Sequence, residues 1–283
     1  MKNKPADKKQ RSTFHKIVNW FLYFAIGIIV LLLLLLGFSQ TKTFRELLRK
    51  EVISQVNASI NGKLNIGQID GTIFTSLTLR NTSLVIDADT LFFAKKLAIR
   101  TNPAQLIFKN IYIRSFELSD AKIQLLKDTS GVYNFSKLSK PKPKDTTSSK
   151  FPFTITVADF RLNNISLKHA LYEFKHSNRS YPVINMKDLR LDSLYLALNA
   201  EADMDRNNYN LKISGASFKA NMKNFWLKDL RGNFYVTAHD ANIDYFILKT
   251  NTTDFNLAAS LQKINLFNNF KVADLKNSPI KFD

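Results

Sequence analysis

The residues best able to do chemistry in this chain stand too far apart to do it together. Its four histidines are His15, His169, His176 and His239, and no His-x-x-x-His pair occurs. A zinc site needs three or four converging ligands, so the histidines read as surface side chains. The run Asp203-Met204-Asp205-Arg206-Asn207 opens like a calcium loop. It then places Asn208 where the sharp turn needs glycine and Ser214 where the closing carboxylate belongs, so it reads as a polar turn between strands. A nucleophile elbow, a phosphate-binding loop and a dinucleotide fingerprint are all missing. With no cysteine, disulfides, thiolate metal sites and a cysteine nucleophile are excluded. The expectation is a protein that is not an enzyme and uses no metal or cofactor.

What the chain offers instead is apolar surface, beginning with an uncharged run from Trp20 to Phe38. Counted from Ile17, it reaches the roughly 20 residues a helix needs to cross a bilayer. Lys2, Lys4, Lys8, Lys9, Arg11 and Lys16 precede it, with Asp7 the lone acid. That bias places the N-terminus in the cytoplasm and the rest of the chain outside it. Trp20 and Tyr23 fit the interfacial aromatic belt on the entry side, and Phe38 closes the span. A cleaved signal peptide is the rival reading, but the run is long and ends GFSQTKTF, a poor cleavage site, so a retained anchor is favoured.

The 283 residues carry a formal net charge of +18. The basic tail accounts for +5 of it, six cations less Asp7, and the remaining +13 is scattered singly along the chain. No basic block meets an aromatic platform, so anionic lipid headgroups are the expected partner and nucleic acid is not. Phe is frequent (23), whereas Gly (8) and Pro (7) are scarce.

Beyond the anchor (residues 17–39), residues 41–61 read as an amphipathic helix. Phe44, Leu47, Leu48, Val52, Val56 and Ile60 recur at helical spacing, and Asn61-Gly62 ends it. Arg45, Arg49 and Lys50 are assigned to its exposed face. The helix is expected to plug the end of the following sheet, with contact to the membrane as the alternative.

From Lys63 the period becomes two, the mark of half-buried strands. Short alternating stretches such as Leu77-x-Leu79, Leu97-x-Ile99, Ile111-x-Ile113, Phe116-x-Leu118 and Ile123-x-Leu125 are separated by polar pairs, among them Arg80-Asn81 and Ser119-Asp120. Taking each polar pair as a turn gives roughly sixteen to twenty strands. FELSDAKIQLL from Phe116 and FRLNNISLKHA from Phe160 echo each other as a hairpin-like unit. Residues 62–136 form a first β segment and 151–283 a second. Between them 137–150, with two prolines and no apolar period, reads as a linker.

These features resemble the AsmA-like and TamB-like envelope proteins. The residues that carry the likeness are the anchor, GKLNIGQIDGTIFTSLTLRNTSLVI from Gly62, and the stretch from Leu97 to Leu138. The latter closes on Ile123, Leu125, Asp128, Gly131, Asn134 and Phe135. The resemblance covers about residues 15–140 and implies a long β-sheet rolled into a taco-shaped groove. It also implies phospholipid movement between membranes or support of outer-membrane assembly, with no catalytic residues to carry over. Family members are usually much longer than this chain.

The expected architecture is therefore mainly β: a transmembrane helix, a short amphipathic helix, then an elongated, curled, mostly antiparallel sheet. One helix cannot cover so much apolar sheet, and a large uncovered apolar surface marks a binding function. Candidate lipid-groove residues are Leu77, Leu79, Leu97, Ile99, Ile111, Ile113, Phe116, Leu118, Ile123 and Leu125. The expected setting is the inner membrane, single pass, with the β domain in the periplasm. Expected partners are membrane phospholipids and an outer-membrane or envelope-assembly protein. The alternative is a non-transporting β-scaffold that packs as sandwiches and binds a protein by strand addition.

Overall fold

The computed structural model describes residues 8–72, 75–87, 89–140, 154–262 and 280–282. The backbone divides into two units, residues 1–48 and 49–283. The first holds α1 (Lys8–Ser39), one continuous helix that contains the whole apolar run. Trp20, Tyr23 and Phe38 are exposed along it, and Trp20 stacks on Phe24 with ring centroids 5.7 Å apart. Among the described residues no helix is long and apolar enough to cross a membrane. The side chains of the basic tail, residues 1–16, lie outside the described residues, as do several within the run.

Thr41 starts the second helix, α2 (Lys42–Ser59), by accepting the Phe44 N–H at 3.2 Å, the N-cap role its hydroxyl suits. From Arg49 onward this helix belongs to the second unit, where it attends to the edge of the sheet. Asn57 exchanges two hydrogen bonds with the backbone of Leu64, as a neighbouring strand would. Arg49 donates to the Ile66 carbonyl at 3.0 Å. Arg49 therefore turns inward and is half-buried, which corrects its assignment to the exposed face. An uncovered edge strand invites pairing with foreign chains, and these bonds occupy part of it.

Among the described residues the second unit is one sheet of 11 strands in sequence order. They are β1 (Lys63–Thr72), β2 (Ser76–Ile86), β3 (Asp89–Thr101), β4 (Asn110–Lys127), β5 (Thr154–Leu171) and β6 (Asp188–Asp203). Then follow β7 (Asn208–Ala220), β8 (Trp226–Val236), β9 (Ala241–Thr250), β10 (Asp254–Leu261) and β11 (Ile280–Phe282). Among the described residues every neighbouring pair is antiparallel except β4 and β5, which run parallel.

The expected count of strands is thus too high, and the reason is local. The polar pairs at Arg80-Asn81 and Ser119-Asp120 are not hairpin turns. Asn81, Asp120, Asn164 and Ser193 sit inside long strands with φ between 49° and 55°, the left-handed region that Asn and Asp tolerate best. Each shifts its strand's side-chain frame by one residue, as a bulge does, and bends it. The echoing phrases from Phe116 and Phe160 are two such strands, β4 and β5, lying side by side with Phe116 opposite Phe160. Eleven strands make a sheet about 50 Å across, half the width expected from twenty.

The parallel pair requires the chain to return from the end of β4 to the start of β5. Asp128 begins the return by accepting the N–H groups of Ser130 and Val132, and Gly131 takes φ +83. Asn134 then folds back, bonding both the Leu126 N–H and the Gln124 carbonyl. The Asp-x-x-Gly-x-x-Asn-Phe close is therefore a structural turn. Of the expected linker, Lys137 and Leu138 lie in a short 3-10 turn and Ser139 bridges Ile60, while 141–150 fall outside the described residues. The two expected β segments are parts of one sheet.

Candidate functional site: one apolar sheet face

Side chains of paired residues point to the same side of a sheet, so the register assigns each candidate to a face. Leu77, Ile99, Phe116, Phe160 and Leu198 form one row across five strands. Leu79, Leu97, Leu118, Leu162 and Leu196 form the next. Beyond the left-handed residues lie Phe92, Ile123, Leu167 and Leu191, then Leu125, His169 and Leu189. On the other side Ile113 pairs with Val157 and Ile111 with Ile155. A second one-residue displacement, between Val157 and Phe160 of β5, keeps these two in frame with Phe116. All ten candidates stand on one face.

That face is tied together at its middle. Ala94, Leu118, Ala121 and Ile165 are buried, with Phe92, Leu97, Phe116, Ile123, Leu162 and Leu194 around them. Alanines from adjacent strands, Ala94 opposite Ala121, occupy the row beside Asp120. Phe116 and Phe160 stack with centroids 4.9 Å apart. Away from this centre the face is not sealed: of the ten candidates only Leu118 is buried, and the other nine are half-buried. Among the described residues the largest fully buried side chains are Ile66, Leu126, Ile165 and Asp188. A filled sandwich core would bury many more.

Two features of the site escaped the sequence. His169, expected on the surface, lies within the apolar face opposite Leu125, and its Nε2 is 2.9 Å from the hydroxyl of Tyr133. The turn Pro103–Phe108 between β3 and β4 leaves Ile107 82% and Phe108 75% exposed. The turn is pinned by the Lys109 amide, which donates to Leu106 with φ 55 at Lys109, so the exposure is built in. Arg100, Lys109 and Arg114 flank this apolar tip and are exposed. A polar-x-polar rhythm hides such a tip, because it follows no period.

The acidic loop at Asp203 is a turn joining β6 and β7. Asp203 caps the N–H groups of Asp205 and Arg206, and Asn207 adopts φ 50. On the face away from the apolar residues, Lys96 donates to Glu117 at 2.7 Å and holds its carboxyl below the usual range, with Ser119 assisting.

Set beside known proteins, residues 49–192 match the family described as TamB, N-terminal domain. That stretch takes in β1 to β5 and the start of β6, the strands on which all ten candidates sit. No curated protein and no solved structure gives a significant match.

Proposed function

This chain belongs to the TamB family, β-rich proteins of the cell envelope, and from that premise we propose that it is a membrane-anchored lipid-binding protein. In this reading the apolar sheet face takes up phospholipid acyl chains and passes them toward the outer membrane, or supports that membrane's assembly. The Trp20–Phe38 run holds the chain in the inner membrane, and the sheet works in the periplasm.

The observation that carries the reading is the combination of alignment and incomplete burial. Ten Leu, Ile and Phe side chains stand on one face across three strands, and nine of them are only half-buried. Water against that much hydrocarbon is costly, about 25 cal/mol per Å², and acyl chains would remove the cost without ordering a protein layer. The exposed Ile107 and Phe108, set among three cations, suit contact with an anionic bilayer surface. Strand addition to a protein partner is less favoured, because Asn57 and Arg49 already occupy bonding groups on the β1 edge.

The test places a charge on the half-buried part of the face, Ile113→Asp or Leu125→Asp, in the full chain reconstituted in vesicles. Binding of a fluorescent phospholipid by the β unit is expected to fall at least several-fold while the far-ultraviolet spectrum is unchanged. Undiminished lipid binding by both folded variants overturns the proposal.

A further inference from the structure

On the opposite face of the sheet lies a second site of different chemistry. Between β5 and β6 the chain makes an excursion over residues 172–187 and is tied down to the sheet. Lys168 donates to the Ser177 carbonyl at 2.8 Å, Tyr181 donates its hydroxyl proton to Asp188 at 2.9 Å, and Asn221 donates to the Arg179 carbonyl at 3.1 Å. Beneath the excursion is a cavity of about 270 Å³. Register puts Lys122 beside Ser166 and Gln124 beside Lys168, alternating with Ile123 and Leu167, so the cavity is on the polar face.

Lys122, Lys168, Lys175, His176 and Arg190 all line it, and among the described residues no carboxylate does. Three carboxylates touch these cations from outside the lining. Asp188 is 3.7 Å from Lys168, Asp89 pairs with Lys175, and Asp192 binds Arg190 at 2.7 Å. Four cations against three carboxylates leave one net positive charge.

The donors are also incompletely used. Lys168 is only 8% exposed, yet its closest bond is to a neutral carbonyl rather than to Asp188. An ammonium has three N–H groups, so donor capacity is left over. Arg190 spends Nε on Asp192 and Nη1 on Asn178, leaving Nη2. Ser166 and Asn178 add neutral polar groups to the wall.

Convergent N–H donors and a net positive charge are what a tetrahedral oxyanion requires. We infer that this cavity binds a phosphoryl group, carried either by a phospholipid headgroup or by a small soluble phosphate ester. The inference stands apart from the lipid reading of the apolar face, because the two sites lie on opposite sides of the sheet.

The test is calorimetric titration of the full chain in non-ionic detergent with sn-glycerol 3-phosphate, and separately with a short-chain phosphatidic acid below its micelle concentration. Chloride at equal ionic strength is the control. Saturable binding that chloride does not reproduce is expected. Lys122→Ala, at an exposed position, should weaken it roughly tenfold, the effect of one charge-assisted bond, and Lys168→Met should abolish it. Equal affinity for the two ligands assigns a soluble phosphate ester, whereas a tenfold preference for the lipid assigns a headgroup. Absence of saturable binding of either ligand, or binding unaltered in folded Lys122→Ala, overturns the site.

Discussion

Leu118 and Ala121 are three residues apart on one strand and still belong to the same buried cluster. In a regular strand they would face opposite sides. Asp120, at φ 50, takes up the odd residue. The same device recurs at Asn81 in β2, Asn164 in β5 and Ser193 in β6, so the frames of neighbouring strands move together and pairing continues past the fault. A continuous apolar face on strands of up to 18 residues depends on this row.

Ser193 tests the device cleanly, because it is exposed and, among the described residues, makes no side-chain bond. An L-residue with a Cβ pays about 1–2 kcal/mol in the left-handed region, and a β-branched one more. Ser193→Gly should therefore raise stability slightly and Ser193→Val should lower it by about 1–2 kcal/mol. Urea unfolding monitored by circular dichroism reads both. A stable Ser193→Val with an unchanged midpoint would show that the left-handed residue is incidental.

Burial separates the positions that hold the sheet from those offered to a ligand. Ile165 is fully buried, so Ile165→Ala should cost about 2–5 kcal/mol. Leu125, half-buried on the same face, should cost clearly less as Leu125→Ala. Equal losses at the two positions in the same urea titration would mean that Leu125 lies in a filled core.

Much of this face was legible in the sequence. Period-two alternation named its ten residues, and the register sets all of them on one side of the sheet. The number of strands was not legible, because Ser119-Asp120 inside a strand and a polar pair in a hairpin turn have the same composition. What separates them is φ and the partner across the ladder, and neither is local. The phosphoryl cavity was hidden for a related reason. Lys122, Lys168 and Arg190 are scattered through the sequence and meet only because β4, β5 and β6 are neighbours.

The apolar tip should matter for lipid handling and not for folding. Ile107→Ser with Phe108→Ser exchanges side chains that are already mostly exposed, so the stability change should stay within about 0.5 kcal/mol. Lipid uptake from anionic vesicles should slow several-fold, and less so from neutral ones. Unaltered uptake from both kinds of vesicle would remove the tip from the account.

Glu117 gives the polar face a pH signature. Its carboxyl is held below the ordinary range by Lys96 first and Ser119 after it, against the opposing effect of burial. A depressed folded value contributes stability above the unfolded glutamate value, about 4.3, that is lost as pH falls through the folded one. Relative to Glu117→Gln, the parent chain should be more stable near neutrality, and the gap should close on the acid side of that value. A gap of constant size down to strongly acid pH would contradict the assignment.

The most direct measurement uses two adjacent residues that the sheet points in opposite directions. A photoreactive amino acid is placed at Ile99, on the apolar face, or at Ala98, on the other, in the full chain in native membranes. After illumination, the adducts are identified by mass spectrometry. Phospholipid adducts are expected at Ile99 and few or none at Ala98. Adducts equally frequent at both positions, or confined to Ala98, would contradict an apolar face that carries lipid.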